Sequence, residues 1–89
     1  MRNVYSVKQV NAYIKNMFTQ DFMLNRIYIK GEVSNCKYHT SGHIYFSLKD
    51  ESGSIACIMF AGYRWGLGFR MQDGLQVIVL GNVTTYERD

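Results

Sequence analysis

The sequence predicts a mainly β domain: a small five-stranded Greek-key barrel, here truncated to four strands, with an N-terminal α-helix. Three observations predict this class. Residues 31–60 alternate apolar and polar side chains with period two across three segments. Short polar segments containing glycine or Asp-Gly separate the alternating runs. The first twenty residues instead carry apolar side chains at helical spacing.

The helix is predicted over residues 6–18. Ser6 and Gln9 have the spacing of a capping box, in which each side chain satisfies the backbone N–H of the other residue. Residues 19–25 are predicted to connect this helix to the barrel, which would occupy residues 26–85. The apolar side chains that would form one stripe along the helix are Val7, Val10, Ile14, Met17 and Phe18.

Four strands are predicted, at residues 26–36, 43–50, 55–60 and 75–85. Because successive side chains of a strand point to opposite faces, the alternation assigns each residue to the core or to the outside. Gly31 interrupts the first strand and marks a strong bend or bulge. The residues on the apolar face are Ile27, Ile29, Val33, Ile44, Phe46, Leu48, Ile55, Cys57, Met59, Val77, Val79 and Val83.

The segment between the third and last strands lacks a clear period. Its glycines argue against a long helix, so we predict a short helical turn whose Trp65, Leu67 and Phe69 plug the barrel. Residues 87–89 resemble a hairpin turn with no returning strand. We therefore expect the chain to be part of a longer protein, and we expect its two open strand edges to favour a homodimer formed by strand exchange.

The composition is that of a folded domain. Hydrophobic residues make up 47% of the 89 residues and charged residues 19%, which excludes a disordered chain. Ten Lys and Arg against seven Asp and Glu give a net charge of +3, a mild preference for an anionic partner. Two cysteines do not make a disulfide scaffold, and no signal peptide or membrane span is visible in the sequence. These features predict a reduced, cytoplasmic protein.

The outer face of the second and third strands is the strongest candidate for a functional surface. It would carry Tyr45, Lys49, His43 and Phe60. Aromatic side chains stack the bases of a single strand, at about 1–3 kcal/mol per base, and cations follow its phosphates. On residue types alone, a solvated sheet with ordinary outward residues is an equally good interpretation. Nearby positions would add Tyr28 and Lys30 on the first strand and Lys37, Tyr38 and His39 on the loop.

A zinc site is a weaker candidate. Cys36, His39, His43 and Cys57 form a ligand set that zinc accepts. The alternation, however, points Cys57 into the barrel and His43 away from it, so we predict no metal and no cofactor.

Catalysis is not predicted for these residues. Asp50 and Glu51 are adjacent carboxylates at a turn, where their side chains need not converge. No hydrolase, phosphate-binding or metalloprotease motif is present. We therefore predict no catalytic residue in this chain.

The stretch GEVSNCKYHTSGHIYFSLKD, followed by SIACIMF, closely resembles the N-terminal domain of the large subunit of bacterial exonuclease VII. VYSVKQVNAYIK resembles the first helix of that family, and DGLQVIVLGNVTTYER resembles its fourth strand and the following turn. The resemblance covers nearly all of the chain. Its G-x-x-YF-x-L-x-D part is shared more loosely with the anticodon-binding barrels of class II tRNA synthetases.

The resemblance implies an OB-fold that binds single-stranded DNA. It also implies that the parent protein is exodeoxyribonuclease VII, a hydrolase that degrades single-stranded DNA with a nuclease site downstream of the barrel and several small subunits attached to the large one. Two departures weaken the DNA-binding motif: Cys36 stands where an aromatic residue is common, and Ala56 stands where a basic residue is frequent. The motif positions assigned to DNA contact are Lys37, His39, Ser41, His43, Tyr45 and Lys49.

We therefore predict a domain that holds single-stranded DNA for a nuclease site elsewhere in the protein. Tyr45, Phe60 and Tyr38 would stack bases. Four cations would neutralise phosphates: Lys30, Lys37, Lys49 and Arg64. Two alternatives remain open. The barrel could bind RNA, as anticodon-binding barrels do, or it could be a protein-interaction module that docks a partner through Ile58 and Phe60.

Overall fold

The computed structural model describes residues 3–85 of the 89-residue chain. The described residues divide into two compact units. The terminal unit comprises the residues up to Ile29 together with those from Leu80 on, and the central unit comprises Lys30–Val79. The turn expected at residues 87–89 lies outside the described residues.

The elements follow the predicted order, and most boundaries lie within two residues of the predicted ones. The first strand continues to Tyr38, and the one larger difference is the last strand, which ends at Gly81. No helix in the described part of the chain is long and apolar enough to cross a membrane. The elements are α1 (Val7–Gln20), α2 (Phe22–Asn25), β1 (Ile27–Tyr38), β2 (Ile44–Lys49), β3 (Ser54–Met59), the 3-10 helix η1 (Ala61–Gly66) and β4 (Gln76–Gly81).

The capping box predicted for α1 is confirmed. The backbone N–H of Gln9 donates to Ser6 Oγ at 3.1 Å, and the backbone N–H of Ser6 donates to Gln9 Oε1 at 2.8 Å. Asp21 then caps α2, since its Oδ1 accepts from the N–H of Met23 at 2.9 Å. Polar side chains at these positions satisfy N–H groups that a helix leaves without intrahelical partners.

The four strands form one sheet in the order β3-β2-β1-β4. The β1–β2 and β2–β3 pairs are antiparallel. The prediction of a mainly β domain with four strands and an N-terminal helix is confirmed. Among the described strands, β3 and β4 are the two edges, and the sheet is not closed.

The core lies in the central unit. Val33, Ile44, Phe46 and Leu48 are at most 6% exposed, as the alternation predicts. Met71 is 2% exposed and was not predicted to be buried. These side chains come from β1, β2 and the segment before β4. They fix which face of β2 is available outside, because alternate residues of a strand face opposite sides.

The prediction that Trp65 plugs the barrel is wrong. Trp65 is 90% exposed and Phe69 is 51% exposed. Met71 supplies the buried apolar side chain of this segment instead. The short helical turn itself is confirmed as η1, but its six residues are wound as a 3-10 helix that buries none of them.

Gly31 is not the site of the β1 bulge, which was one of the two features predicted for it. A Cβ atom at this position would lie 3.1 Å from the backbone oxygen of Lys49 and 3.2 Å from Leu48 Cβ. The glycine therefore permits a close approach of β1 and β2. The bulge lies further along β1, where the pair Ser34–Ser47 is followed by Lys37–Tyr45.

Candidate nucleic-acid interface

Tyr45 occupies the centre of a row that runs across three strands. Its direct cross-strand partners are Lys37 on β1 and Ile58 on β3. Directly opposite residues in antiparallel strands project from the same face. Tyr45 is partly exposed and Lys37 is exposed, so the aromatic ring and the ammonium group share one accessible surface. The sheet therefore brings together the two residue types that bind a single strand, an aromatic ring and a cation.

The residues beside this row are small. Ser47 pairs with Ser34 on β1 and with Ala56 on β3, so the next row contains no bulky side chain. The outer face is therefore shallow next to Tyr45. An extended chain of nucleotides needs such an open groove beside its stacking platform.

Two histidines extend the aromatic surface beyond Tyr45. The ring centroid of His39 lies 5.8 Å from that of Tyr45, and the centroid of His43 lies 6.5 Å from it. Phe60 joins the group through a 5.2 Å edge-to-face contact with His43. Such contacts add stability beyond simple burial and hold the rings in fixed orientations. His39, His43, Tyr45 and Phe60 are called the aromatic cluster below.

Both imidazoles of the aromatic cluster accept hydrogen bonds at Nδ1. The backbone N–H of Ala61 donates to His43 Nδ1 at 3.0 Å, and that of Ser41 donates to His39 Nδ1 at 3.1 Å. A ring nitrogen that accepts carries no proton, so the neutral rings keep their proton on Nε2. Ser41 Oγ also lies 2.9 Å from His39 Nδ1, which places the predicted Ser41 in this network. Each ring therefore offers one N–H donor to a ligand.

Lys49 lies on the same outer face but is engaged by a carboxylate. It pairs with Glu32 across β1 and β2, and its Nζ lies 3.6 Å from Glu32 Oε2. Lys30, two residues before Glu32, shares a depression of about 430 Å³ with Lys49, Asp50 and Glu51. Three carboxylates therefore face two lysines at this end of the face, which weakens its attraction for phosphate.

Tyr38 does not join the aromatic cluster. It pairs with Ile44, a core residue, because the extra residue in β1 reverses the alternation after Ser34. Its hydroxyl donates to the backbone oxygen of Met71 at 3.0 Å. The predicted polar turn accordingly begins after Tyr38, at His39.

Arg64 lies on the same side of the unit as Tyr38. Its guanidinium carbon is 5.1 Å from the centroid of the Tyr38 ring, and Nη1 donates to the backbone oxygen of Gly42 at 3.0 Å. Arg70, which sequence reasoning did not select, lies 4.5 Å from the same centroid. Its position in the run WGLGFR, where a basic residue directly follows aromatic ones, is a signal that could have identified it.

The four candidate zinc ligands do not converge. Cys57 pairs with Phe46 on the core face, whereas His43 belongs to the outer aromatic cluster. Burial raises the pKa of the Cys57 thiol. Burial, and secondarily the charge of Asp73, raises the pKa of Cys36, while Arg70 lowers it. Protonated thiols are poor metal ligands, and residues 3–85 contain no cluster of three His, Cys, Asp or Glu side chains suited to a metal ion.

The chain is similar in sequence to one family of domains and to several named proteins. Residues 5–89 match the family model described as the OB-fold nucleic acid binding domain. The chain is 71% identical over 89 residues, its whole length, to the exodeoxyribonuclease 7 large subunit of Lachnoclostridium phytofermentans, covering 22% of that protein. It is 50% identical over 84 residues, 94% of its length, to the large subunit from Clostridium botulinum strain Loch Maree, covering 21% of it.

A third relative is more distant. The large subunit from Natranaerobius thermophilus is 48% identical over 83 residues, 93% of this chain and 20% of that protein. The chain thus spans about a fifth of the length of the curated relatives it matches.

Proposed function

The chain belongs to the family of OB-fold nucleic acid binding domains, and from that premise we propose that its outer sheet face binds single-stranded DNA. The observation that carries the proposal is the row in which Tyr45 lies between Lys37 and Ile58, bordered by the aromatic cluster. Tyr45 stacks a base, and Lys37 neutralises a neighbouring phosphate. This pairing supplies affinity with little dependence on base identity, because every base has a π-face.

The relatives are named as large subunits of exodeoxyribonuclease 7. We infer that the intact protein is a hydrolase of single-stranded DNA, that it works with a small subunit in the cytoplasm, and that this chain delivers DNA to a nuclease site elsewhere in it. The chain itself contributes binding and positioning rather than a catalytic residue.

Fluorescence anisotropy with a labelled oligo-dT tests the binding proposal. Tyr45→Ala is expected to weaken binding about fivefold or more, since a stacked base contributes roughly 1–3 kcal/mol. Tyr13→Ala is the matched control, because Tyr13 is a 68% exposed tyrosine on α1. Equal losses in both variants, or no loss in either, would remove Tyr45 from the site.

The same assay distinguishes DNA binding from the alternatives of RNA binding and protein binding. An RNA of the same sequence that displaces the labelled DNA at lower concentration would assign the face to RNA, since only RNA offers a 2′-OH. A chain that ignores both oligonucleotides but associates tightly through Ile58 and Phe60 would be a protein-interaction module. Sedimentation at high concentration tests the homodimer expected from the open edges β3 and β4; a monomer would contradict it.

A further inference from the structure

The central unit has a second concave surface, outside the aromatic cluster. Its volume is about 500 Å³, and its lining includes Tyr38, Arg64, Trp65, Phe69 and Arg70. These five residues are called the arginine cleft below. The cleft combines two guanidinium groups with three aromatic rings, which is the chemistry of a nucleotide site.

The two cations of the arginine cleft are held in place. Both guanidinium groups lie over the Tyr38 ring, at 5.1 Å for Arg64 and 4.5 Å for Arg70. The Tyr38 hydroxyl is in turn anchored on the backbone of Met71. Among the described residues, the one salt bridge joins Lys49 and Glu32, so neither arginine has a carboxylate oxygen within 4.0 Å there. A planar guanidinium that stacks on a ring keeps most of its N–H donors for an anion such as phosphate.

The aromatic part of the arginine cleft is open to solvent. Trp65 is 90% exposed and Phe69 is 51% exposed, a large exposure for rings of this size. An exposed indole beside two fixed cations is suited to stack a base whose phosphate they bind. Single-strand binding sites combine these two contacts.

The arginine cleft adjoins the aromatic cluster. The backbone of Ala61, which also lines the cleft, donates to His43 Nδ1 at 3.0 Å. Arg64 Nη1 donates to the oxygen of Gly42, the residue before His43, at 3.0 Å. Residues of the cleft and of the aromatic cluster are therefore direct neighbours.

We propose that the arginine cleft binds a further nucleotide of the same single strand, with its phosphate on Arg64 and Arg70 and its base against Trp65. This inference rests on the proposed function, because it extends the path of the strand that the outer face holds. It also gives Tyr38 the role of organising the two arginines instead of stacking a base.

Trp65 is the only tryptophan of the 89-residue chain, so its emission reports on the arginine cleft directly. Titration of the chain with unlabelled oligo-dT is expected to quench this emission at the same concentrations that saturate the anisotropy of a labelled oligo-dT. Trp65→Ala is expected to weaken the anisotropy-measured affinity about fivefold or more, and Trp65→Phe is expected to retain most of it. Tyr63→Ala is the control, since Tyr63 is a 71% exposed residue of the same helix η1 outside the cleft lining.

The charge of the cleft has its own test. A plot of the logarithm of the affinity against the logarithm of salt concentration has a slope set by the number of phosphate contacts. Arg70→Gln is expected to make this slope shallower by about 0.7, the value for one phosphate contact on a single strand. Arg26→Gln removes the same charge from an exposed position in the terminal unit and is expected to change the slope less. Equal slopes in the two variants would argue against a phosphate on Arg70.

The outcomes separate this inference from the proposed function. In one outcome, the wild type binds oligo-dT more tightly than Tyr45→Ala, while DNA leaves Trp65 emission unchanged and Trp65→Ala binds as tightly as the wild type. That result would refute only the proposed nucleotide site in the arginine cleft. If the wild type binds no oligonucleotide, both proposals fail. If Trp65 emission changes with protein concentration alone, the cleft is a contact between copies of the chain and not a nucleotide site.

Discussion

Lys37 on β1 lies directly opposite Tyr45 on β2. The pairing depends on the bulge, because the preceding pair is Ser34–Ser47 and β1 therefore has one more residue than β2 between the two pairs. With strict alternation from the buried Val33, Lys37 would face the core side of the sheet. The bulge turns it to the outer face and places a cation beside the aromatic ring.

Asn35 carries the unusual backbone conformation of this bulge, with a φ of 51°. Asparagine, aspartate and glycine adopt this left-handed region readily, whereas a β-branched residue is strained there. We expect Asn35→Val to lower the free energy of unfolding by about 1–2 kcal/mol. Asn35→Gly and Asn35→Asp are the controls and are expected to stay close to wild type. Urea denaturation measures the difference, and equal stability of the Val and Gly variants would contradict it.

The two lysines of the outer face are predicted to contribute unequally to DNA binding. Lys49 lies 3.6 Å from a Glu32 oxygen, whereas Lys37 has Tyr45 and an open surface beside it. We expect Lys37→Ala to weaken oligo-dT binding more than Lys49→Ala. Lys37→Ala should also make the slope of the logarithm of the affinity against the logarithm of salt concentration shallower by about 0.7.

Glu32 provides the converse test. Glu32→Gln frees the Lys49 ammonium and removes a negative charge from the face, so binding is expected to strengthen at low salt. The exposed ion pair contributes little to stability, so the free energy of unfolding is expected to change by less than about 1 kcal/mol. Weaker binding in Glu32→Gln would mean that the carboxylate positions Lys49 and does not compete with DNA.

His43 is predicted to act through Nδ1 as an acceptor that fixes the start of η1. His43→Ala leaves the Ala61 N–H without its partner and is expected to cost roughly 0.5–1.5 kcal/mol of unfolding free energy. His43→Asn is expected to recover part of this loss, because the amide oxygen can occupy the position of Nδ1. Long-range ¹H–¹⁵N spectra of the wild type should show the proton on Nε2; a proton on Nδ1 would contradict the hydrogen bond.

Gly31 is predicted to be required by the packing of β1 on β2. Gly31→Ala places a Cβ atom 3.1 Å from the Lys49 backbone oxygen, and the backbone has little freedom to yield. We expect Gly31→Ala to lower the free energy of unfolding by about 1–3 kcal/mol, the usual cost of adding a methyl group to a well-packed interior. Gly53→Ala is the control, because a Cβ atom there meets nothing within 4 Å. A Gly31→Ala variant as stable as Gly53→Ala would show that the strands can separate without cost.

The alternation of β2 was sufficient to predict its two faces. Ile44, Phe46 and Leu48 occur at every second residue, and only one assignment buries all three. The register of β3 then follows, since Ile55 and Cys57 pair with Leu48 and Phe46, but the predicted burial of Ile55 is wrong because it is 40% exposed at the sheet edge. The start of α1 was equally predictable, because a capping box depends on two side chains only three positions apart, here Ser6 and Gln9.

The bulge and the arginine cleft were not predictable in this way. The residues around Asn35 are not strongly apolar. The sequence therefore has no apolar periodicity there to show that the two faces of the strand exchange after Ser34. Trp65 and Met71 lie in a segment without regular alternation, where composition indicates that some apolar side chain is buried but not which one. Tertiary contacts select Met71 and leave Trp65 exposed.

DNA binding on the outer face is tested most directly by a map of backbone and side-chain NMR shifts during titration with a short oligo-dT. The largest changes are expected at Lys37, Tyr45 and Ile58, which share the outer face. Small changes are expected at Ile55 and Cys57, which pair with core residues on the opposite face. Changes confined to that opposite face, with Tyr45 unaffected at saturation, would contradict DNA binding on the outer face.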